Sequence, residues 1–364
     1  MPSAIRLHRT GGPEVLALED VEVPPPGPGQ LAVRHTYAGL NFIDVYHRTG
    51  LYPLTLPLTL GDEAAGRVTA VGAGVRGFAV GDRVAYARAT GAWCTERVLS
   101  ADLAVHLPDG VSDQLAAAVL LKGMTAEYLV RRTVALRPGH VVLFHAAAGG
   151  TGLLACQWAR ALGARVIGAV STPEKAALAK AHGCDAVVIT QKRNFVTDVK
   201  ALTDGKGVDV VYDSVGQATF EGSLACLKPR GMLVSFGQSS GRPPALELGR
   251  LGGDRSLYVT RPSLGAYVST RQELETCSAA LFEVLEKGFV KPPPIRTVPL
   301  AQAAAAMAAL EARRTTGSTV LEIDAALAAT GLASPGKAGK PGKAAKPAKK
   351  AKPQAAKAPA KKKR

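Results

Sequence analysis

The chain has 364 residues, 47% hydrophobic and 20% charged, a balance typical of a globular enzyme of about two domains. No apolar run approaches the roughly 18 residues of a membrane-spanning helix, and residues 1–9 do not resemble a signal peptide. The net charge is +16, but residues 331–364 hold eleven lysines, one arginine and no acidic residue, which leaves +4 (16 − 12) for residues 1–330. The basic charge therefore belongs to a tail, and a nucleic-acid-binding fold is not indicated.

The first 110 residues predict a β-rich, barrel-like domain, because short apolar segments alternate with glycine and proline turns. The predicted strands are Ala4–His8, Gln30–Tyr37, Ala64–Val71 and Arg83–Tyr86. The five cysteines are scattered without a C-x-x-C pair (Cys94, Cys156, Cys184, Cys226 and Cys277). This spacing favours free thiols in a reducing compartment, so we expect a cytoplasmic protein without a structural zinc lobe.

After a helix predicted over Asp113–Leu129, strands alternate with helices. The strands are expected at His140–His145, Arg165–Val170, Asp185–Ile189, Val208–Tyr212 and Met232–Phe236. Continuously apolar strands in such units predict a doubly wound parallel sheet with helices on both faces. Helices over Arg271–Gly288 and Leu300–Arg314 and a strand over Thr319–Ile323 then return to the first domain. Residues 326–364 contain almost nothing to bury, and we expect a disordered Lys/Ala/Pro-rich tail.

The strongest local motif is a dinucleotide-binding turn. The apolar segment Val141–Phe144 runs into small residues spaced as Ala146-x-x-Gly149-x-x-Gly152, and a helix follows. Small residues allow close approach of a pyrophosphate to the helix N-terminus. Because the spacing is not the strict G-x-G-x-x-G, a tight turn without a ligand remains the alternative.

Cofactor choice is expected at the end of the second strand, where NAD enzymes place an acidic residue. Here Ser171 and Lys175 flank a helix start with Thr172 as N-cap, and this arrangement suits the 2′-phosphate of NADPH. The alternative is an ordinary capped helix that carries a solvated lysine.

Several ordered stretches together resemble one family. They are Gly11–Val15, Asn41–Asp44, Gly50–Pro53, Leu121–Thr125, Phe144–Gly152, Val211–Gly216, Val234–Gly237 and Thr260–Leu264. Over residues 1–323 the chain is similar to the zinc-independent NADPH:quinone oxidoreductases, the zeta-crystallin-like branch of the medium-chain dehydrogenase/reductase family. The resemblance implies a homodimer, with a GroES-like catalytic domain (1–124 and 260–325) and a Rossmann NADPH-binding domain (125–259).

The resemblance also implies the site. Asn41, Asp44, Tyr46 and Tyr52 match the family's active-site residues. The matches to its cofactor contacts are Tyr128, Gly149, Gly150, Thr151, Gly152, Ser171, Lys175, Ser214, Phe236, Gly237, Ser239, Arg261, Ser263 and Arg313. Thr190 is a departure, because close relatives carry a tyrosine against the adenine.

The residues favour hydride transfer without a metal. Zinc alcohol dehydrogenases place a cysteine ligand near Asn41 and a histidine ligand near Asp62, and this chain has neither. A quinone is already electrophilic, so it needs chiefly an oriented hydride donor. We expect Asn41, Tyr46 or Tyr52 to donate hydrogen bonds to the oxygen that gains charge, while solvent supplies the proton. The alternative for each tyrosine is packing with a hydrated hydroxyl; His35, His47, His145 and Cys94 are interpreted as structural.

Three classes of function follow. The first is NADPH-dependent reduction of a quinone, with reduction of α,β-unsaturated carbonyls as the alternative within the same site. The second is a nucleic-acid-associated protein whose enzyme fold is incidental and which acts through residues 331–364, where weak nonspecific binding of nucleic acid or other polyanions is expected. The third is a structural or NADPH-binding role without turnover.

Overall fold

The computed structural model describes residues 1–191 and 194–329, so nearly all of the predicted tail lies outside the described residues. The strands are Ser3–Leu7 (β1), Leu16–Asp20 (β2), Gln30–Leu40 (β3), Leu58–Thr59 (β4), Glu63–Val71 (β5), Arg83–Ala87 (β6), Glu96–Ser100 (β7), Ala104–His106 (β8), Val141–His145 (β9), Arg165–Val170 (β10), Ala186–Ile189 (β11), Val208–Asp213 (β12), Leu227–Ser235 (β13), Tyr258–Thr260 (β14), Ile295–Pro299 (β15) and Ser318–Glu322 (β16). The helices are Phe42–Arg48 (α1), Asp113–Glu127 (α2), Gly150–Ala161 (α3), Pro173–Ala181 (α4), Phe195–Leu202 (α5), Phe220–Cys226 (α6), Leu264–Tyr267 (α7), Arg271–Glu286 (α8), Ala303–Glu311 (α9) and Ala325–Ala329 (α10). Within these ranges no helix is long and apolar enough to cross a membrane.

The β-rich part is built around the long strand β3. It lies in a sheet of order β15-β16-β3-β5-β6-β8, β7 also pairs with β3, and a smaller sheet has the order β2-β1-β4. Two register shifts between β3 and β5 bend these strands. Because β16 pairs antiparallel with β3, the late segment of the chain completes the sheet that the early segment began.

The second sheet has six parallel strands in the order β11-β10-β9-β12-β13-β14. Successive residues of β9 belong to different apolar cores: Val142 and Phe144 pack in one, and Leu143 packs in another. A strand buried on both faces must be apolar throughout, which explains its unbroken hydrophobic sequence. The predicted fold class, a GroES-like β-rich domain with a doubly wound Rossmann sheet, is confirmed.

Several boundaries differ from the predictions. The helix predicted to Leu129 ends at Glu127 and continues as a wider π-helical turn over Tyr128–Thr133. The strand predicted from Met232 begins at Leu227, and the helix predicted over Leu300–Arg314 consists of a 3-10 turn over Leu300–Gln302 and an α-helix over Ala303–Glu311. Helix α1 was not predicted, since its seven residues are too few for a periodic pattern to be recognised.

Candidate active site

A cavity of about 1150 Å³ is lined by residues of both sheets and their loops. It has the size of a site for a cofactor together with a substrate. Its lining includes every predicted site residue except Asp44, namely Asn41, Tyr46, Tyr52, Tyr128, Gly149, Gly150, Thr151, Gly152, Ser171, Lys175, Ser214, Phe236, Gly237, Ser239, Arg261, Ser263 and Arg313. The sequence therefore predicted residues that the fold brings to one place.

Residues 146–152, the glycine loop, connect β9 to α3 along this cavity. Ala146 adopts a left-handed φ of 52°, which sharpens the turn. A Cβ on Gly152 would lie 2.5 Å from the carbonyl oxygen of Ala146, and one on Gly150 would lie 2.6 Å from the Lys122 side chain. Gly149 caps α3 without a side-chain hydrogen bond, so the first amides of the helix remain available to an anion.

Lys175 and Arg313 lie next to each other beside the start of α4. Together with Ser171 they form what we call the basic region. The Lys175 ammonium donates a 2.8 Å hydrogen bond to the carbonyl oxygen of Arg313, whose backbone has a left-handed φ of 57°. Partial burial and the nearby Arg313 guanidinium lower the pKa of Lys175. Two cations held together in a cavity fit a multiply charged anion such as a phosphate.

The loops after β12 and β13 pack closely along the same cavity. A Cβ on Gly237 would lie 2.7 Å from the carbonyl oxygen of Ser214, so only glycine fits at this contact. The buried carboxylate of Asp213 accepts hydrogen bonds from the Thr219 and Ser223 hydroxyls and from the amides of Val215 and Gly216. Asp213 thereby fixes the loop that carries Ser214.

Tyr46 and Tyr52, with Asn41 and Arg261, form what we call the tyrosine region. The two rings lie 4.9 Å apart in an edge-to-face arrangement. The Tyr46 hydroxyl accepts a 2.9 Å hydrogen bond from the Gln238 amide, and the Tyr52 hydroxyl accepts one of 2.8 Å from Arg261. Each hydroxyl therefore keeps its own hydrogen for another acceptor. Burial raises the pKa of Tyr46 to about 12, so this hydroxyl stays a donor at neutral pH.

Asn41 is held by residues that the sequence did not single out. Its side-chain amide donates to Glu63, 2.9 Å away, and the same carboxylate accepts hydrogen bonds from the Lys122 ammonium and the Leu121 amide, each at 2.7 Å. Glu63 and Lys122 are both buried, so this is a desolvated ion pair. Glu63 follows Asp62 and Lys122 lies within the stretch Leu121–Thr125, but their contact spans 59 residues and no local pattern indicates it.

Asp44 lies behind the cavity wall, fully buried. One of its carboxylate oxygens accepts a 2.7 Å hydrogen bond from the backbone amide of Asn41, which completes a capping box at the start of α1. Burial and the nearby Asp62 carboxylate raise its pKa well above the usual value. Asp44 thus positions the helix that carries Tyr46.

The remaining residues predicted to contact the cofactor lie in or near the wall of the cavity. Tyr128 stacks on Tyr267 with ring centroids 4.5 Å apart, and Thr190 donates a hydrogen bond to the carbonyl oxygen of Val170. The residues interpreted as structural are buried: His35 contacts the Cys94 carbonyl and the Tyr86 hydroxyl, and His145 contacts the Ser223 hydroxyl. His47 also lines the cavity, which its sequence context did not indicate.

Comparison with known proteins identifies the family. Residues 27–142 match the model of the alcohol dehydrogenase GroES-like domain, and residues 150–283 match that of the zinc-binding dehydrogenases. The chain is 51% identical to a quinone oxidoreductase of Pseudomonas aeruginosa and 46% identical to quinone oxidoreductase 1 of Escherichia coli; each match covers 88% of this chain and 99% of the relative. The crystal structure of Escherichia coli quinone oxidoreductase complexed with NADPH superposes with a TM-score of 0.86 at 46% identity, covering 88% of this chain and 99% of that one. The chain belongs to the quinone oxidoreductase branch of the medium-chain dehydrogenase/reductase family.

Proposed function

We propose that this protein reduces quinones with NADPH by hydride transfer, without a catalytic zinc. The observation that carries the proposal is that one cavity contains the glycine loop, the basic region and the tyrosine region. The glycine loop and the basic region fit a dinucleotide with an extra phosphate, and the tyrosine region offers donors to an electron-accepting oxygen. The family relationship supports the same activity, since the similar proteins named above are quinone oxidoreductases.

The cofactor contacts follow from the geometry. We propose that the amides of Gly150, Thr151 and Gly152 bind the pyrophosphate, since glycine at 150 and 152 leaves the space that a Cβ would fill. Lys175, Arg313 and the Ser171 hydroxyl bind the 2′-phosphate. Tyr128, Ser214, Phe236, Gly237, Ser239, Arg261 and Ser263 line the rest of the cofactor site. When bound, NADPH supplies the hydride.

The tyrosine region stabilises the negative charge that develops on the substrate oxygen. As the quinone gains a hydride, its oxygen becomes negative, and the free hydroxyl hydrogens of Tyr46 and Tyr52 donate to it. Asn41 has a second amide hydrogen that Glu63 does not use, and it offers a third donor. Glu63 and Lys122 hold Asn41 in place, and Asp44 holds the helix. Solvent supplies the proton.

The experiment is NADPH and NADH oxidation by the purified full-length protein, measured against quinones, enones and aldehydes. We expect saturable turnover of quinones that prefers NADPH. Turnover of enones without quinones would replace the proposed substrate class, and binding of NADPH without any turnover would favour a binding role.

Three further proposals concern the location of the protein, its oligomeric state and its basic tail. The protein is expected to be a cytoplasmic homodimer, and its five buried free thiols agree with a reducing compartment.

Residues 331–364, whose structure lies outside the described ranges, are proposed to bind polyanions such as nucleic acid weakly through their twelve positive charges. A gel-shift at low salt tests this: the full chain should retard DNA, and a chain that ends at residue 330 should not. Equal retardation of both would contradict the tail's role.

A further inference from the structure

Three buried polar atoms meet beside the tyrosine region without hydrogen-bond partners. They are an Oδ atom of Asp44, Nδ1 of His47 and an Oδ atom of Asp62. All three side chains are more than nine-tenths buried. A buried polar atom without a partner loses its hydration and gains nothing in exchange, so three at one point require an explanation.

These atoms form a compact group drawn from two segments. Asp44 and His47 are three residues apart on α1 and so lie on one face of the helix. Asp62 belongs to the segment just before β5, and its Oδ atom lies 3.5 Å from Nδ1 of His47. One potential ligand atom from each of the three residues lies within 4.8 Å of the others. Ligands of a tetrahedral zinc ion lie about 3.4 Å apart, so side-chain movements of about 1 Å would bring all three within bonding distance.

In the part of the chain that the structure describes, the carboxyl groups of Asp44 and Asp62 also have no cationic partner close by. The nearby Lys122 ammonium forms an ion pair with Glu63 at 2.7 Å, so it is not available to pair with Asp44 or Asp62. Thr90 donates a hydrogen bond to the other oxygen of Asp62, and the Asn41 amide donates to the other oxygen of Asp44. Among residues 1–191 and 194–329, no lysine or arginine forms an ion pair with either aspartate. A divalent cation would satisfy the orphan atoms and neutralise both carboxylates.

We propose that Asp44, His47 and Asp62 bind one first-row divalent cation, with Zn²⁺ as the best fit. One imidazole with two carboxylates suits Zn²⁺ better than Mg²⁺ or Ca²⁺, which prefer oxygen ligands alone. This set shares the Asp62 position with the zinc positions considered in the sequence, but Asp44 and His47 of α1 take the place of the thiolate that Asn41 cannot supply. The ion would tie α1 to the segment of Asp62, and hence hold Tyr46 in place. His47 and Asp62 line the cavity, so water can fill the remaining coordination position.

The test measures bound metal in the full-length, untagged protein, without NADPH or quinone, so its failure would leave the proposed function intact. After chelation and equilibrium dialysis against Zn²⁺, mass spectrometry should find about one zinc ion per chain. His47→Leu and Asp62→Asn should each weaken Zn²⁺ binding by more than about 100-fold, because removing a direct ligand exceeds the 10–100-fold effect of an outer-shell partner. His106→Leu, which alters a histidine whose side chain is 50% exposed, should bind Zn²⁺ like the wild type and controls for surface binding.

Thermal unfolding provides a second measurement. Zn²⁺ at 100 times its dissociation constant should raise the Tm of the wild type by about 5 °C and leave both ligand variants unchanged. Circular dichroism identifies a variant that does not fold, and the other variant then decides. Wild-type protein that binds no Zn²⁺, or folded variants that bind it as tightly as the wild type, would overturn the proposal; the orphan atoms would then be satisfied by water or a shared proton.

Discussion

The glycine loop and the tyrosine region line the same cavity but are built in opposite ways. The glycine loop is a continuous strand–turn–helix segment whose function depends on backbone amides and on the absence of side chains. The tyrosine region depends on side chains held by distant partners: Tyr52 contacts Arg261 across 209 positions, and Tyr46 contacts Gln238 across 192. Local sequence therefore encodes the first region, whereas only the complete fold assembles the second.

Gly152→Ala should have the largest effect, because it disrupts the locally encoded region at its tightest contact. The new Cβ would lie 2.5 Å from the Ala146 carbonyl oxygen and 2.8 Å from atoms of Ala147, so the loop must move. A shift of this size costs on the order of 100-fold or more in a positioned site. Fluorescence titration should show at least that loss in NADPH affinity. Gly110→Ala is the control, since its Cβ meets only a Glu286 oxygen at 3.7 Å and its affinity should not change.

Tyr46→Phe and Tyr52→Phe test the assembled region. Each removes one hydroxyl donor, and the loss of one such donor typically costs about 100-fold in kcat. NADPH affinity should change little, so steady-state kinetics should show a fall in kcat for the quinone. Tyr258→Phe, at a 56% exposed position, is the control. If both tyrosine variants kept full turnover, the interpretation of these hydroxyls as packing groups would be correct instead.

Lys175→Ala and Arg313→Ala should change cofactor preference. Each cation is expected to contribute a charge-assisted bond to the 2′-phosphate of roughly 1.5–3 kcal/mol, which corresponds to about ten- to hundredfold. Comparison of kcat/KM for NADPH and NADH should show the loss for NADPH alone. Lys180→Ala, an exposed lysine on the same helix, should keep the wild-type preference. Equal losses of kcat/KM with both cofactors would mean that these residues do not bind the 2′-phosphate.

The smallest expected effect is that of pH on the tyrosine region. Because burial raises the pKa of Tyr46 to about 12, its donor hydrogen is retained below that pH and lost only above it. The kcat of the wild type should therefore show no decline from Tyr46 titration between about pH 7 and 10. Tyr46→Phe should give a profile of the same shape at a lower level. A decline in the wild type that is absent from Tyr46→Phe would contradict a buried, protonated Tyr46.

The same contrast explains which features the sequence could predict. Five of the six parallel strands were predicted because their apolar residues are buried on both faces of the sheet. Arg165–Val170 matched without error, whereas β13 begins five residues before the predicted Met232 and β14 was not predicted. Helix α1 was missed because its stability comes from the capping box and tertiary packing rather than from a long periodic pattern. The Glu63–Lys122 pair and the cluster of His47 with Asp44 and Asp62 could not be predicted, because the local amino-acid sequence does not indicate which distant side chains come into contact.

The most direct test of the proposed function is single-turnover oxidation of NADPH by an excess of quinone, followed by stopped-flow absorbance in the wild type and in Tyr52→Phe. We predict that bound NADPH is oxidised rapidly by the wild type and about 100-fold more slowly by the variant, at unchanged NADPH affinity. Wild-type protein that binds NADPH and leaves it unoxidised by every quinone would contradict the account.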